Sequence, residues 1–242
     1  MILPMTLPFS LGPLAGFDLV AVAFLLLAWI VLSWLIEHPP ASYPSVSVIM
    51  ADFRREWMRQ MVMRNPRIFD GTIIDSLRQG TAFFASACMI AIGGGVALIG
   101  NSDRLIGLAN DLTIHAEGVL IEVKIIAVLA FLANALLKFI WANRLFGYCS
   151  VIMAAVPNDA AHPMALPRAA QAAEINITAA RSFNRGLRAI YFALAALGWL
   201  LGPWALIGAT VIASGILLRR EFASASRRVI LDVASGEHTA SE

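Results

Sequence analysis

Eighteen consecutive residues without a charge, Leu19 to Ile36, lie between Asp18 and Glu37, and no other feature of the chain restricts its fold as much. As a helix this run rises about 27 Å at 1.5 Å per residue, close to the roughly 30 Å of a bilayer's hydrocarbon layer. His38, Pro39, Pro40 and Pro44 follow and end it, because proline removes a helix hydrogen bond and restricts the residue before it. The whole chain agrees: 59% of its residues are apolar and 14% charged, against about 45–50% and about 25% in a typical soluble domain. The expectation is an all-α, polytopic transmembrane helical bundle forming a single membrane domain over residues 1–242.

Later apolar runs extend the pattern. Gly80 to Gly100 carries no charge and contains Gly93, Gly94 and Gly95, small residues that let helices approach closely in lipid. A third run begins near Glu122 and Lys124, but its clean core, Ile125 to Leu137, covers only about 20 Å. Lys138 therefore lies within membrane depth with Asn134 one turn before it, an intramembrane polar pair that is either functional or explained by a lysine stem snorkelling to the interface. The last run, Ala189 to Leu218, is interrupted by Gly202-Pro203-Trp204, and length alone permits one tilted helix or a hairpin. Spans are expected at about 18–36, 80–100, 122–145, 189–201 and 204–218, the last two being one broken fourth span, with polar segments at 37–79, 157–188 and 219–242.

Lysine and arginine gather on the cytoplasmic side of a membrane protein. A periplasmic amino terminus puts Arg54, Arg55, Arg59, Arg64, Arg67 and Arg78 inside, together with Arg144, Arg168, Arg181, Arg185 and Arg188. A hairpin at Gly202-Pro203 also returns Arg219, Arg220, Arg227 and Arg228 to that side, which favours the hairpin and a cytoplasmic carboxyl terminus. Met1 to Gly16 has no Lys or Arg, so the first run reads as a retained anchor rather than a cleaved signal. The location implied is the bacterial inner (plasma) membrane. From Ile49 to Arg64, Met50, Phe53, Trp57 and Met61 share one helical face, while Arg54, Arg55 and Arg59 lie mostly elsewhere. Two readings stay open: a helix lying in the membrane interface, or a solvated helix packed on the protein's own cytoplasmic side.

Familiar catalytic signatures are missing: there is no phosphate loop of the Walker type, no His-Glu-x-x-His, no Cys-x-x-Cys and no Gly-x-Ser-x-Gly. His38, His115, His162 and His238 are scattered through loops and tail. The grouping of His115 with Asp111 and Glu117 fits no standard metal spacing. No catalytic residue, metal or cofactor is assigned. Cys88 and Cys149 sit in apolar sequence as small hydrophobes, and Asn176-Ile177-Thr178 reads as a chance glycosylation pattern. A net charge of +2 implies no nucleic-acid partner. The richest constellation runs from Arg181 to Tyr191. At helical spacing Arg181, Asn184, Arg185 and Arg188 share one side and can hold a lipid phosphate or another anion, or else simply pin the helix end. Asp70, Asp75 and Glu174 are candidates to pair with these arginines.

Three stretches carry a resemblance: Asp52-Phe53-Arg54-Arg55-Glu56-Trp57-Met58, then Phe183-Asn184-Arg185-Gly186-Leu187-Arg188-Ala189-Ile190-Tyr191-Phe192, then Gly202-Pro203-Trp204 with Arg219-Arg220-Glu221-Phe222. Together they resemble a family of bacterial integral membrane proteins known as domain of unknown function 599, from the first helix to about Arg228. The resemblance implies the architecture and no reaction, cofactor or partner. The leading functional expectation is a non-enzymatic scaffold or accessory subunit whose arginine-rich face engages membrane lipids or a membrane-protein partner. Its rivals are a small transporter or channel working as a homo-oligomer, and a membrane enzyme acting on lipid.

Overall fold

The computed structural model describes residues 16–101 and 118–234. Its elements are α1 (Gly16–Glu37), α2 (Val46–Val62), α3 (Ile68–Ile99), α4 (Gly118–Ala154), α5 (Ala165–Leu197), a 3-10 turn (Gly198–Leu201), α6 (Pro203–Phe222) and α7 (Ala225–Ala234), with no strand among the described residues. Three helices, α1, α3 and α4, are long and apolar enough to cross a membrane, as a multi-pass membrane protein requires. His115 with Asp111 and Glu117 lies outside the described residues, as does His238.

Several helices outrun the apolar stretches that announce them. α3 begins at Ile68, well ahead of the uncharged run at Gly80, and α5 joins the alanine-rich segment after Pro167 to the apolar entry beyond Arg188 without a break. Alanine is the strongest helix former, and Pro167 falls in the first turn, where its missing N–H costs nothing. Hydropathy marks only the greasy part of a helix; propensity and capping decide its ends.

The long antiparallel pair α4 and α5 is the spine. Gly186 makes its close approach possible, since a Cβ there would stand 2.7 Å from the Phe139 ring. Ser182 Oγ donates to the Lys138 carbonyl at 2.9 Å, and Phe131 stacks on Phe192 farther along. α3 lies against α4, where Asn143 Nδ2 donates to Thr81 Oγ1 at 2.9 Å and Leu129 fills the space a Cβ on Gly95 would need. Of the three consecutive glycines only Gly95 packs closely; Gly93 and Gly94 face open space. On the spine's other side α1 and α6 bury Ala21, Leu25, Leu206 and Leu217 against Phe192 and Trp199, and Trp199 Nε1 donates to Asp18 at 2.7 Å.

Large apolar side chains cover the outside of the apolar zone, among them Leu27, Ile30, Trp34, Phe83, Ile90 and Ile212. In water that surface is unfavourable by roughly 25 cal/mol per Å², and a lipid environment removes the penalty. Beyond this zone, at the arginine-rich end, a second core forms from Met58, Met61, Ile74, Phe146, Cys149 and Ala172. Both cysteines are buried and unbridged. Along α2, Met58, Met61 and Val62 are buried, while Met50 and Phe53 are exposed. From the same helix Arg54 donates to Asn176 on α5. Asn176 is fully buried and also donates to Cys149 Sγ, so it presents nothing to a glycan.

Residues 189–218 form a hairpin. Gly202 adopts φ 116°, ψ 171°, a backbone conformation that residues with a Cβ rarely adopt, and Pro203 opens α6. The return is antiparallel, with Arg220 bonded to Tyr191 near the open end and Gly198 against the Ala205 carbonyl near the turn. Replacing Gly202 by alanine is expected to cost about 1–3 kcal/mol in thermal unfolding in detergent micelles. Gly208→Ala, within α6 and surrounded by open space, is the control and is expected to leave stability unchanged or raise it by up to about 1 kcal/mol.

Candidate functional site

Where the carboxyl end of α1, the amino end of α2, the middle of α5 and the end of α6 meet, they enclose a cavity of about 510 Å³. Its polar lining comes from Glu37, Ser47, Asp52, Arg54, Arg55, Arg181, Asn184, Arg188 and Glu221. Small-molecule sites span roughly 300–1,000 Å³, so the space suffices for a ligand headgroup.

Glu37 closes the long uncharged run of α1, and α5 supplies its partners one turn apart. Arg185 Nε donates to Glu37 Oε1 at 2.8 Å, Arg185 Nη2 donates to Oε2, and Arg188 Nη2 donates to Oε1. The Arg188 side chain is 4% exposed and that of Glu37 11%, whereas Arg185 is 46% exposed. Burial pulls the Arg188 guanidinium below its ordinary pKa, while Glu37 and Glu221 pull it back up. Arg188 lines the cavity, and its buried Nε has no hydrogen-bond partner. A buried donor left unmatched costs about 1–3 kcal/mol, which makes this atom the site's clearest open demand.

The other wall is built on a helix start. Ser45 caps α2 by accepting from Val48 N–H at 3.3 Å, and its hydroxyl donates back to the Ile36 carbonyl at 2.7 Å, tying α2 to α1. The Glu221 carboxylate then takes the free N–H of Ser47 at 3.1 Å and its hydroxyl at 3.0 Å, where the helix dipole favours negative charge. Asn184 Nδ2 donates to the same Ser47 hydroxyl at 3.3 Å. Tyr43 OH donates to the Phe222 carbonyl at 2.9 Å, and Arg227 lies 4.0 Å over the Tyr43 ring, so the chain after α6 clamps the α1–α2 connection.

Of the arginines and asparagine singled out from sequence, Arg181, Asn184 and Arg188 line the cavity, and Arg185 stands beside it on Glu37. Arg181 is exposed and joins none of the ion pairs found among the described residues. Arg54, Arg55 and Asp52 enter from α2; burial holds the Arg54 guanidinium low. Phe53, Trp57 and Arg59 do not reach the cavity: Trp57 Nε1 donates to Asp70 at 2.7 Å, and Arg59 pairs with Glu56 at 3.1 Å. Asn134 and Lys138 stay apart on α4. The expected acidic partners also differ. Asp70 pairs with Arg64 and Glu174 with Arg55, Asp75 accepts from Gln79, and the α5 arginines take Glu37 instead. Glu37, Ser47 and Glu221 were invisible as site residues in the sequence. The signal available for two of them was a lone carboxylate beside a long apolar run and another within an arginine cluster.

Residues 20–226 match the family described as a protein of unknown function, DUF599. The chain belongs to that family. No curated protein and no solved structure matches it. Family membership agrees with the resemblance carried by the α2, α5 and α6 motifs, and those same stretches build the cavity walls. Among the described residues no group of three His, Cys, Asp or Glu side chains is placed to hold a metal.

Truncating Arg188 to alanine leaves the nearly buried Glu37 carboxylate with only its half-exposed partner, and a loss of about 3–5 kcal/mol is expected. Arg185→Ala is expected to cost clearly less, because that side chain meets solvent. Denaturant or thermal unfolding in micelles, monitored by tryptophan fluorescence, ranks the two.

Proposed function

We propose that this protein is a non-enzymatic scaffold or accessory subunit of the bacterial inner membrane that holds the phosphate of an anionic membrane lipid in the cavity between α1, α2, α5 and α6. One observation carries the reading: Arg188, a nearly buried guanidinium whose Nε has no partner, lines the cavity together with Arg181 and Asn184. A phosphate is an acceptor for the guanidinium groups that line the cavity, and charge-assisted bonds of this kind are roughly twice as strong as neutral ones. Arg181 and Asn184 add donors from the same side of α5.

Position supports a lipid as the source. Glu37 ends a helix long and apolar enough to cross a membrane, so the cavity begins where the apolar zone stops, the level at which phospholipid headgroups lie. Arginines from α2, α5 and the end of α6 gather at this end of the bundle, and the positive-inside rule makes it the cytoplasmic face. In this topology the amino terminus is periplasmic, the α5–α6 hairpin enters the membrane from the cytoplasmic side and returns to it, and the carboxyl terminus is cytoplasmic.

Arg181→Ala tests the site without touching the fold, since no ion pair depends on it. Phospholipid phosphorus per mole of protein, measured after purification in a mild detergent, is expected to fall by half or more with an unchanged melting temperature. Undiminished phosphorus in that variant contradicts the reading.

A further inference from the structure

Charge at the cavity is finely matched. Counting the residues that line it and their direct ion partners, the guanidinium groups are Arg54, Arg55, Arg181, Arg185 and Arg188, and the carboxylates are Glu37, Asp52, Glu174 and Glu221. The site thus carries one positive charge in excess. Every carboxylate is already engaged: Glu37 by Arg185 and Arg188, Asp52 and Glu174 by Arg55, and Glu221 by the Ser47 N–H and hydroxyl.

From this balance we infer that the cavity selects a singly charged phosphodiester carrying a neutral, hydroxylated headgroup, over zwitterionic ammonium lipids and over doubly charged phosphate monoesters. The inference rests on the reading of the site as a lipid-phosphate cavity and adds the class of headgroup. A phosphodiester's single negative charge cancels the excess and offers acceptors to the guanidinium groups at the cavity. An ammonium group finds no uncommitted carboxylate at depth, and the guanidinium groups around it repel it. Asp52 alone has a second oxygen to spare, but its side chain is 80% exposed, so water screens any pull on a cation. A second negative charge on a monoester faces Glu37 and Glu221 with no guanidinium left to balance it. Hydroxyl groups carry no such penalty, and the Asn184 amide and Asp52 carboxylate offer them neutral and charged hydrogen-bond partners.

The sequence of groups along α5 agrees with how such a lipid stands in a membrane. Arg188 lies nearest the apolar zone, and Arg181 lies two turns farther out, about 10 Å along the helix. A phosphate held at Arg188 and Asn184 leaves its glycerol and acyl chains toward the apolar zone and points its headgroup past Arg181 toward Asp52.

Native mass spectrometry of the detergent-purified full chain, titrated with phosphatidylglycerol, phosphatidylethanolamine and phosphatidic acid of identical acyl chains, tests the inference. Soluble glycerophosphoglycerol forms a fourth arm. Phosphatidylglycerol adducts are expected to exceed each of the other two lipids by about fivefold or more, with no comparable binding of the soluble compound. In Arg181→Gln, which removes the excess charge, the preference over phosphatidylethanolamine is expected to vanish. If all three lipids bind equally and all decline in the variant, the cavity holds phosphate but the headgroup assignment is wrong. If no adduct responds to the variant, the lipid-phosphate reading fails as well. Equal binding of the soluble compound overturns the assignment to a lipid.

Discussion

A single carboxylate, Glu37, joins the first helix to the middle of α5 through two arginines one turn apart, and the rest of the arginine-rich end is arranged around that junction. Charges so poorly exposed are tolerated only when paired and hydrogen-bonded, because desolvating each costs several kcal/mol. The pairing therefore dictates where α1 stops relative to α5. It also fixes the connection that follows, since Ser45 must reach back to the Ile36 carbonyl while capping α2. Once α2 starts there, its free N–H groups face Glu221 at the end of α6, and the hairpin's length is set against the same level.

Two cores share one spine. Within the apolar zone α4 and α5 meet through phenylalanine rings and the missing side chain of Gly186, and beyond it the same helices continue into a second core under α2. The cavity at the boundary is lined by residues of α1, α2, α5 and α6, helices rather than loops.

The apolar runs were legible because a bilayer demands uncharged length, and composition alone reports it. The Gly202-Pro203 break was legible too, as two alternatives that the antiparallel contact of Arg220 with Tyr191 resolves. The true helix lengths were not: α3 and α5 extend through polar sequence where hydropathy is silent and alanine propensity takes over. Helical spacing grouped Arg181, Asn184, Arg185 and Arg188 on one side; three of them line the cavity and Arg185 pairs with Glu37 beside it. It gave no route to Glu37, nearly 150 residues away in sequence, or to Glu221, since neither pairing has a local pattern. Nor did spacing give a route to the bond between Arg54 on α2 and Asn176 on α5, which has no local pattern.

Membership of a family of unknown function leaves the reaction open, and the proposed anion site at the edge of the apolar zone stands on the geometry of the cavity. That account depends on Glu37 and Arg188 acting as one unit. A double-mutant cycle with Glu37→Gln and Arg188→Met, read by denaturant unfolding in micelles, measures their coupling directly. The account requires a coupling of at least about 1.5 kcal/mol, and additivity within about 0.5 kcal/mol contradicts it.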